Sequence, residues 1–249
     1  MEALYDNLLE YYDEVFPLDS ERLDFITGIA GKLRKSKTPW SPRVLDVGCA
    51  TGGTALALMK RGMDVTGVDF NAAMIQSACR RNPEPKTNAR FFRIDMLDVA
   101  DVFAPESFDV GLCLGNTLVH LDGSGQISLF LESLLEVLQV GGVFIFQVVN
   151  YDLVIAQGLT ELPPIQTKRA RFVRNYSRTG NGRIVFEASI YSSSDQVVFR
   201  DTVTLYPAGV DELTALLKKA GFKKIDFYDD FDGEPFTGSS LGVVGVAFA

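Results

Sequence analysis

Val44-Leu45-Asp46-Val47-Gly48-Cys49-Ala50-Thr51-Gly52-Gly53 decides the fold of this chain. A short aliphatic run ends in a glycine-rich turn, and the helix-forming run Thr54-Ala55-Leu56-Ala57-Leu58-Met59 follows at once. A strand feeding such a turn brings backbone N–H groups and a helix N-terminus up to a ligand. Working outward, the spacing predicts a strand at 43–47, a helix at 53–61 and a strand at 64–69. Asn71 then reads as the N-cap of a helix running to about Arg81, which Pro83-Glu84-Pro85 ends.

Further strands are expected at 90–95, at 108–114 and at 143–149, with a helix at 125–139 stopped by Gly141-Gly142. The run Phe108-Asp109-Val110-Gly111-Leu112-Cys113-Leu114 is nearly all apolar, as a strand covered on both faces must be. Strand alternating with helix implies an α/β, doubly wound, mostly parallel sheet with right-handed crossovers. Upstream, residues 3–16 and 21–35 have helical spacing, parted by Pro17 and the caps Asp19 and Ser20, and Thr38-Pro39-Trp40-Ser41-Pro42 breaks the chain. They predict a helical lid over residues 1–40. Residues 151–207 change rhythm. Strands at 171–176, 183–191 and 197–206, joined by Thr179-Gly180-Asn181-Gly182 and Ser192-Ser193-Ser194-Asp195, predict an antiparallel β insertion. A helix at 210–220 stopped by Gly221, then strands at about 222–231 and 242–248, return to the main body, expected to comprise 41–150 and 208–249.

Bulk properties narrow the partners. A net charge of −8, from 24 basic and 32 acidic residues, argues against a nucleic-acid polyanion. Cys49, Cys79 and Cys113 form no C-x-x-C pair, so no metal site and no disulfide framework is indicated. The acidic opening Met1-Glu2-Ala3-Leu4-Tyr5-Asp6 lacks a signal pattern, and no apolar run suits a membrane span. The expectation is a cytoplasmic enzyme. A homodimer through the insertion or the N-terminal helices is left open.

In an open parallel sheet, ligands bind beyond the carboxyl ends of the strands. Gly48 and Gly52 follow the first strand, Asp69-Phe70 the second, Asp95-Met96 the third and Leu114-Gly115-Asn116 the fourth. Asp69 lies at the spacing of a ribose-binding acidic residue. Phe70 and Met74 can wall a purine, Asp95 can accept from an exocyclic amine, and Met96 can offer a backbone N–H. Each aspartate alone could be a solvated cap; their shared position at one sheet edge favours an adenosine pocket. A dinucleotide turn wants glycine where Ala50 stands, so a diphosphate fits less well than a phosphate-free ligand.

Asp46 to Gly52, Asp69, Asp95-Met96 and Leu138-Gln139-Val140-Gly141-Gly142 together resemble the motif series of class I S-adenosylmethionine-dependent methyltransferases. The resemblance implies a seven-stranded Rossmann-like sheet and S-adenosylmethionine as cofactor. It also implies a cofactor site formed by Tyr12, Arg22, Asp46, Gly48, Cys49, Ala50, Gly52, Asp69, Phe70, Met74, Asp95, Met96, Leu114, Gly115 and Asn116. The family usually has glycine at the position of Ala50. Tyr11-Tyr12-Asp13 resembles the family's lid element, whose tyrosine and a nearby arginine (here Arg22) approach the cofactor's carboxylate. Cys113 to Leu121, Asn150-Tyr151-Asp152, Leu205-Tyr206-Pro207 and Asp230-Phe231 are similar to segments of glycine N-methyltransferase-like enzymes.

That likeness implies a small-molecule acceptor held by Asn150 and Tyr206, with Arg183 on its carboxylate. The sole histidine, His120, has two readings: a general base, or a structural group beside the cofactor. Methyl transfer from a sulfonium needs in-line geometry and water exclusion more than a nucleophilic side chain. A basic run, Lys168 to Arg174, reads either as an anion site or as a solvated β-face with alternating arginines. An O-methyltransferase, an NAD-dependent oxidoreductase and a non-catalytic cofactor-binding protein are the rival readings.

Overall fold

The computed structural model describes residues 2–33, 40–82 and 89–249; the turn signals at Thr38-Pro39 and Pro83-Glu84-Pro85, and the helix end at 34–35, lie outside them. Four strands, β1 (Arg43–Val47), β2 (Asp64–Asp69), β3 (Ala89–Arg93) and β4 (Phe108–Cys113), run parallel with β5 (Leu138–Val149). β10 (Lys224–Tyr228) and β11 (Gly242–Phe248) complete a seven-stranded sheet in the order β10-β11-β5-β4-β1-β2-β3, with β11 antiparallel to both of its neighbours. Strand order reverses beside β1, so the carboxyl ends of β1, β2 and β4 open onto one crevice.

Buried side chains cover both faces of this sheet. On one side Ile26 and Ala30 of α3 (Ser20–Lys32) and Ala55 and Leu58 of α4 (Gly53–Lys60) pack on Val44, Val65 and Ile145. On the other, Ile127, Phe130 and Leu134 of α7 (Ser124–Val137) and Leu213 and Leu217 of α9 (Val210–Ala220) meet Phe144 and Phe146. The helix starts follow local chemistry. Asp19 accepts from Glu21 N at the head of α3, and Asn71 accepts from Met74 N at the head of α5 (Ala72–Arg81), as its cap reading predicts. Gly221, at φ +115°, ends α9.

A second, antiparallel sheet, β6 (Glu161–Gln166), β7 (Ala170–Arg178), β8 (Ile184–Ser192) and β9 (Val197–Leu205), lies in the order β6-β7-β8-β9. Its inner residues Phe172, Ile184, Ala188 and Ile190 join the same core as β5.

Several boundaries differ from expectation. The predicted helix 3–16 is two helices, α1 (Glu2–Leu8) and α2 (Tyr12–Val15), because they cover different surfaces. Tyr5 reaches His120, whereas Phe16 stacks edge-on against Phe172. Gly141-Gly142 does not stop α7, which already ends at Val137. Leu138 pairs with Phe108 and Val143 with Val110, so the glycines form a bulge inside β5. Gly142 is needed there, since a Cβ would lie 2.8 Å from Gln139 O. Three helices or strands were not anticipated: α6 (Val99–Val102) precedes β4, α8 (Tyr151–Gln157) opens the 151–207 segment, and β6 is an edge strand despite Pro163 and Pro164.

Candidate cofactor and acceptor site

A cavity of about 1620 Å³ runs from the ends of β1, β2 and β4 to the inner face of the second sheet. Its cofactor-side wall includes Asp46, Gly48 to Thr51, Asp69, Phe70, Met74, Asp95, Met96, Leu114, Gly115 and Asn116. Tyr12 and Arg22 close it from the N-terminal helices. The strand-end reading therefore brings nearly all of its residues to one place. Gly52 is the exception, outside the lining; a Cβ there would lie 2.8 Å from the Phe91 ring, so it is a packing glycine at φ +76°.

The turn after β1 is held from within. Gly48 N and Cys49 N donate to Val68 O at 2.8 and 3.0 Å, and Gly52 N donates to Cys49 O at 2.9 Å. Gly48 sits at φ +73°, and a Cβ would fall 2.5 Å from Thr117 Cγ2. Its freedom thus serves a close approach to the loop after β4. Ala50 also adopts a left-handed conformation, φ +47°, and its N–H donates to Asp69 Oδ2 at 2.9 Å. That charge-assisted bond offsets the conformational cost and explains how alanine replaces glycine here.

Asp69 is 8% exposed, and its Oδ1 accepts from Asn71 N at 2.9 Å. Burial raises its carboxyl above the usual range, and the two N–H donors oppose that rise. The backbone occupies one lone-pair direction of each oxygen, leaving the others for hydroxyl donors. Burial also pushes Asp46 up to about 7, helped by Asp69 and resisted by Arg22. Arg22 lies over Phe231 at 5.2 Å, and its Nε is buried without a partner among the described residues. Asp95 caps the short turn Met96–Asp98 by accepting from Leu97 N at 3.0 Å, while still lining the cavity. Asn116 ties β4 to β5, accepting from Val149 N and donating to Tyr151 Oη, each at 2.9 Å.

The residues present fit a nucleoside carrying a cationic and carboxylate-bearing tail. Asp69 meets hydroxyls, the apolar group Phe70, Met74, Ile94, Met96 and Leu97 meets a base, and Arg22, whose Nε has no partner among the described residues, suits a carboxylate.

The acceptor side departs from expectation. Asn150 is 1% exposed and fully engaged, accepting from Leu153 N as the cap of α8 and donating to Gly238 O and Ser240 O. Tyr206 donates its hydroxyl to Glu212, which raises its pKa, and its N–H binds Val119 O. Arg183 pairs with Asp122 and lies over the Tyr206 ring at 5.6 Å. None of the three lines the cavity. Their hydrogen-bonding capacity is used within the chain, so the expectation that they hold the acceptor is corrected.

In their place stand Tyr5, Leu8, Phe16, Leu162, Phe172, Arg174, Tyr176, Phe186 and His120. His120 Nε2 is 2.8 Å from Tyr5 Oη, while Nδ1 is buried with no partner among the described residues. Burial pulls His120 down to about 4, so its ring is neutral at physiological pH. The signal for the second-sheet residues was present: 172, 174 and 176 alternate on one face of a strand, opposite to 171 and 173. Arg174 thus parts from Arg171, which faces Asp195 and Tyr191 outside.

The geometry matches what known proteins show. A methyltransferase-domain family model matches residues 44–142. The chain is 27% identical over 199 residues to a glycine/sarcosine N-methyltransferase of Aphanothece halophytica, covering 80% of this chain and 73% of that one. Against the glycine N-methyltransferase of Rattus norvegicus it is 33% identical over 130 residues, 47% of this chain and under half (43%) of the rat enzyme. The structure of the CcbJ methyltransferase from Streptomyces caelestis superposes with a TM-score of 0.82 at 18% identity, covering 100% and 99% of the two chains. SAM-bound CalS10, an amino pentose methyltransferase from Micromonospora echinaspora, gives 0.67 at 18% identity and 96% of each. At such identities the structural likeness speaks for the fold alone. Residues 44–142 carry a methyltransferase domain, and the relatives and solved structures that the chain resembles support a class I S-adenosylmethionine-dependent methyltransferase with S-adenosylmethionine as its cofactor.

Proposed function

We propose that this chain methylates an amine nitrogen of a small-molecule acceptor held beneath the second sheet. The observation that carries the reading is one continuous cavity joining the strand-end aspartates to an aromatic chamber. His120 lines it with an unpartnered Nδ1. The chain's likeness to glycine/sarcosine N-methyltransferases supports nitrogen over oxygen. Bound S-adenosylmethionine supplies an electrophilic methyl on a good leaving group. The chain's own task is to align the acceptor lone pair and exclude water. Tyr5, Leu8, Tyr12 and Phe16 of the N-terminal helices wall that chamber and act as its lid.

An amine attacks only as the free base. His120, near 4, is too weak to deprotonate an ammonium efficiently at neutral pH. It instead orients the neutral amine, with Tyr5 on Nε2 holding the ring. The rate then rises with pH through the acceptor's own ionisation, with no His120 limb near 6.5. His120→Asn should lower kcat/KM about tenfold, the scale of one hydrogen bond, and leave the pH profile unshifted. A wild-type limb between pH 6 and 7 that vanishes in the variant would restore the general-base role. Folding is linked with the opposite ionisation. The unfolded histidine takes up its proton near 6.5 and the folded one near 4, so native stability falls as pH drops between them.

The lid is tied down by Asp13, which accepts from Thr51 Oγ1 at 2.7 Å and Arg81 Nη1 at 2.9 Å. These partly exposed contacts are worth about 1 kcal/mol or less. Asp13→Ala should therefore speed cofactor release by no more than about fivefold in stopped-flow traces. Unchanged release would remove the clasp role.

The direct test of function is labelled S-adenosylmethionine with paired panels of small amines and alcohols, analysed by mass spectrometry. Methylated amines are the expected products; products at oxygen alone would overturn the assignment to nitrogen.

A further inference from the structure

Tyr5 and His120 stand 115 residues apart in the chain, yet Tyr5 Oη lies 2.8 Å from His120 Nε2 and the rings meet edge-on at 5.7 Å. A short run of contacts sets Tyr5 there. Asp69 Oδ1 accepts from Asn71 N at 2.9 Å, and Asn71 Nδ2 donates to Asp6 Oδ1 at 2.9 Å. The Asn71 carboxamide is fixed in this sense, because its oxygen already accepts from Met74 N. Asp6 is the neighbour of Tyr5 on α1. Leu4 and Leu8 of the same helix are buried in the core that holds Val119, next to His120. The cofactor wall at Asp69 is thus joined through α1 to the histidine of the acceptor chamber.

A neutral imidazole carries one N–H and one bare nitrogen. His120 is neutral at physiological pH, so its contact with Tyr5 has two possible forms. If the Tyr5 hydroxyl donated to Nε2, the ring hydrogen would sit on Nδ1. Offered to an amine, that N–H would occupy the lone pair that must attack the methyl. If Nε2–H donates to Tyr5 Oη instead, Nδ1 is bare. It then accepts an N–H of the amine and leaves the lone pair free for in-line attack. The surroundings favour this second form. Burial and the Asp69 charge both hold the Tyr5 hydroxyl protonated. A nearby carboxylate draws the hydroxyl hydrogen to its own side and turns the oxygen towards Nε2. Nδ1 is buried with no partner among the described residues, which reserves it for a ligand. Resting on the amine-acceptor reading above, we propose that Tyr5 is a positioning residue: docked by α1, it fixes His120 with the hydrogen on Nε2 and a bare Nδ1 for the amine. The histidine is set for transfer only while α1 lies against the cofactor wall.

Because His120 is the sole histidine, isotope-labelled histidine gives a single pair of ring-nitrogen signals. Long-range proton–nitrogen NMR at neutral pH then shows which nitrogen carries the hydrogen. With S-adenosylhomocysteine bound, the wild type should show a protonated Nε2 and a bare Nδ1. Tyr5→Phe keeps the ring and removes the hydroxyl, so its two signals should move towards each other as the tautomers mix. Asp6→Ala leaves Tyr5 in place but frees α1 from Asn71, and should show partial mixing. In the labelled-cofactor assay, transfer to amines should fall about tenfold in Tyr5→Phe, the scale of one hydrogen bond. A merely structural tyrosine would lower the melting temperature of Tyr5→Phe and leave Nε2 protonated. That result, or hydrogen on Nδ1 in the wild type with S-adenosylhomocysteine bound, overturns the inference. An Asp6→Ala spectrum identical to wild type overturns the link to the cofactor wall. Should Tyr5→Phe fail to fold, the wild-type and Asp6→Ala spectra carry the test. Products at oxygen alone, with Nε2 protonated, would sink the amine reading and leave the tautomer assignment standing; methylated amines with hydrogen on Nδ1 would sink this inference alone.

Discussion

Asp69→Ala should weaken S-adenosylmethionine binding by about 100-fold or more, equivalent to about 3 kcal/mol. Asp69 does two jobs at once. Its oxygens accept from Ala50 N and Asn71 N, which hold the β1 turn and the head of α5, and they line the cavity. Removing the carboxylate leaves both N–H groups unpaired in a buried site, where hydrogen bonds to charged groups count for about 1.5–3 kcal/mol each. It also releases Ala50 from the bond that offsets its left-handed backbone. Asp69→Asn keeps an acceptor for one N–H and should fall between wild type and alanine. Titration calorimetry and thermal unfolding together check this. A Kd within threefold of wild type for Asp69→Ala would remove Asp69 from the cofactor site.

Gly48→Ala should cost about 2–4 kcal/mol of stability, from a left-handed backbone plus overpacking. In a chain of this size that lowers the melting temperature by about 6–12 °C. The physical obstacle is named: the new Cβ falls 2.5 Å from Thr117 Cγ2 and 2.9 Å from its hydroxyl. Adding Thr117→Ser removes the methyl while keeping a hydroxyl for Leu114 O, which Thr117 Oγ1 binds at 2.7 Å. About half the loss should return, and the φ +73° penalty should persist. If the double variant melts no higher than Gly48→Ala, Thr117 is not what excludes a side chain there. Cofactor affinity should fall in step with stability, because Gly48 lies in the cavity wall.

The cofactor half of the site was legible because its signals are local. The runs at 43–47, 64–69 and 108–113 read as strands, and the candidate residues Gly48, Asp69 and Leu114 stand at or directly after their ends. Even the departure at Ala50 was visible, though its compensation by Asp69 was not. The acceptor half was misread for the opposite reason. Asn150, Tyr206 and Arg183 are residue types that bind ligands, yet a helix cap, Glu212 and Asp122 satisfy them first. Arg174 was hidden in a basic run whose other arginines face Glu10, Glu14 and Asp195 at the surface. Tyr5 and Phe16 escaped notice because the break between α1 and α2 turns them onto different walls.

From the residues alone follow the alternating strand-helix order and the convergence of Gly48, Asp69, Asp95 and Asn116. A parallel sheet has one polarity, so every strand-end loop on that edge meets its neighbours whatever else packs around it. Docking the second sheet and the N-terminal helices decided the rest. Strand alternation divides residues into two faces without saying which one is covered, and a polar side chain serves a ligand only if its neighbours leave a donor or acceptor free. Those conditions set Arg174 and His120 in the chamber wall and kept Asn150, Tyr206 and Arg183 out of it.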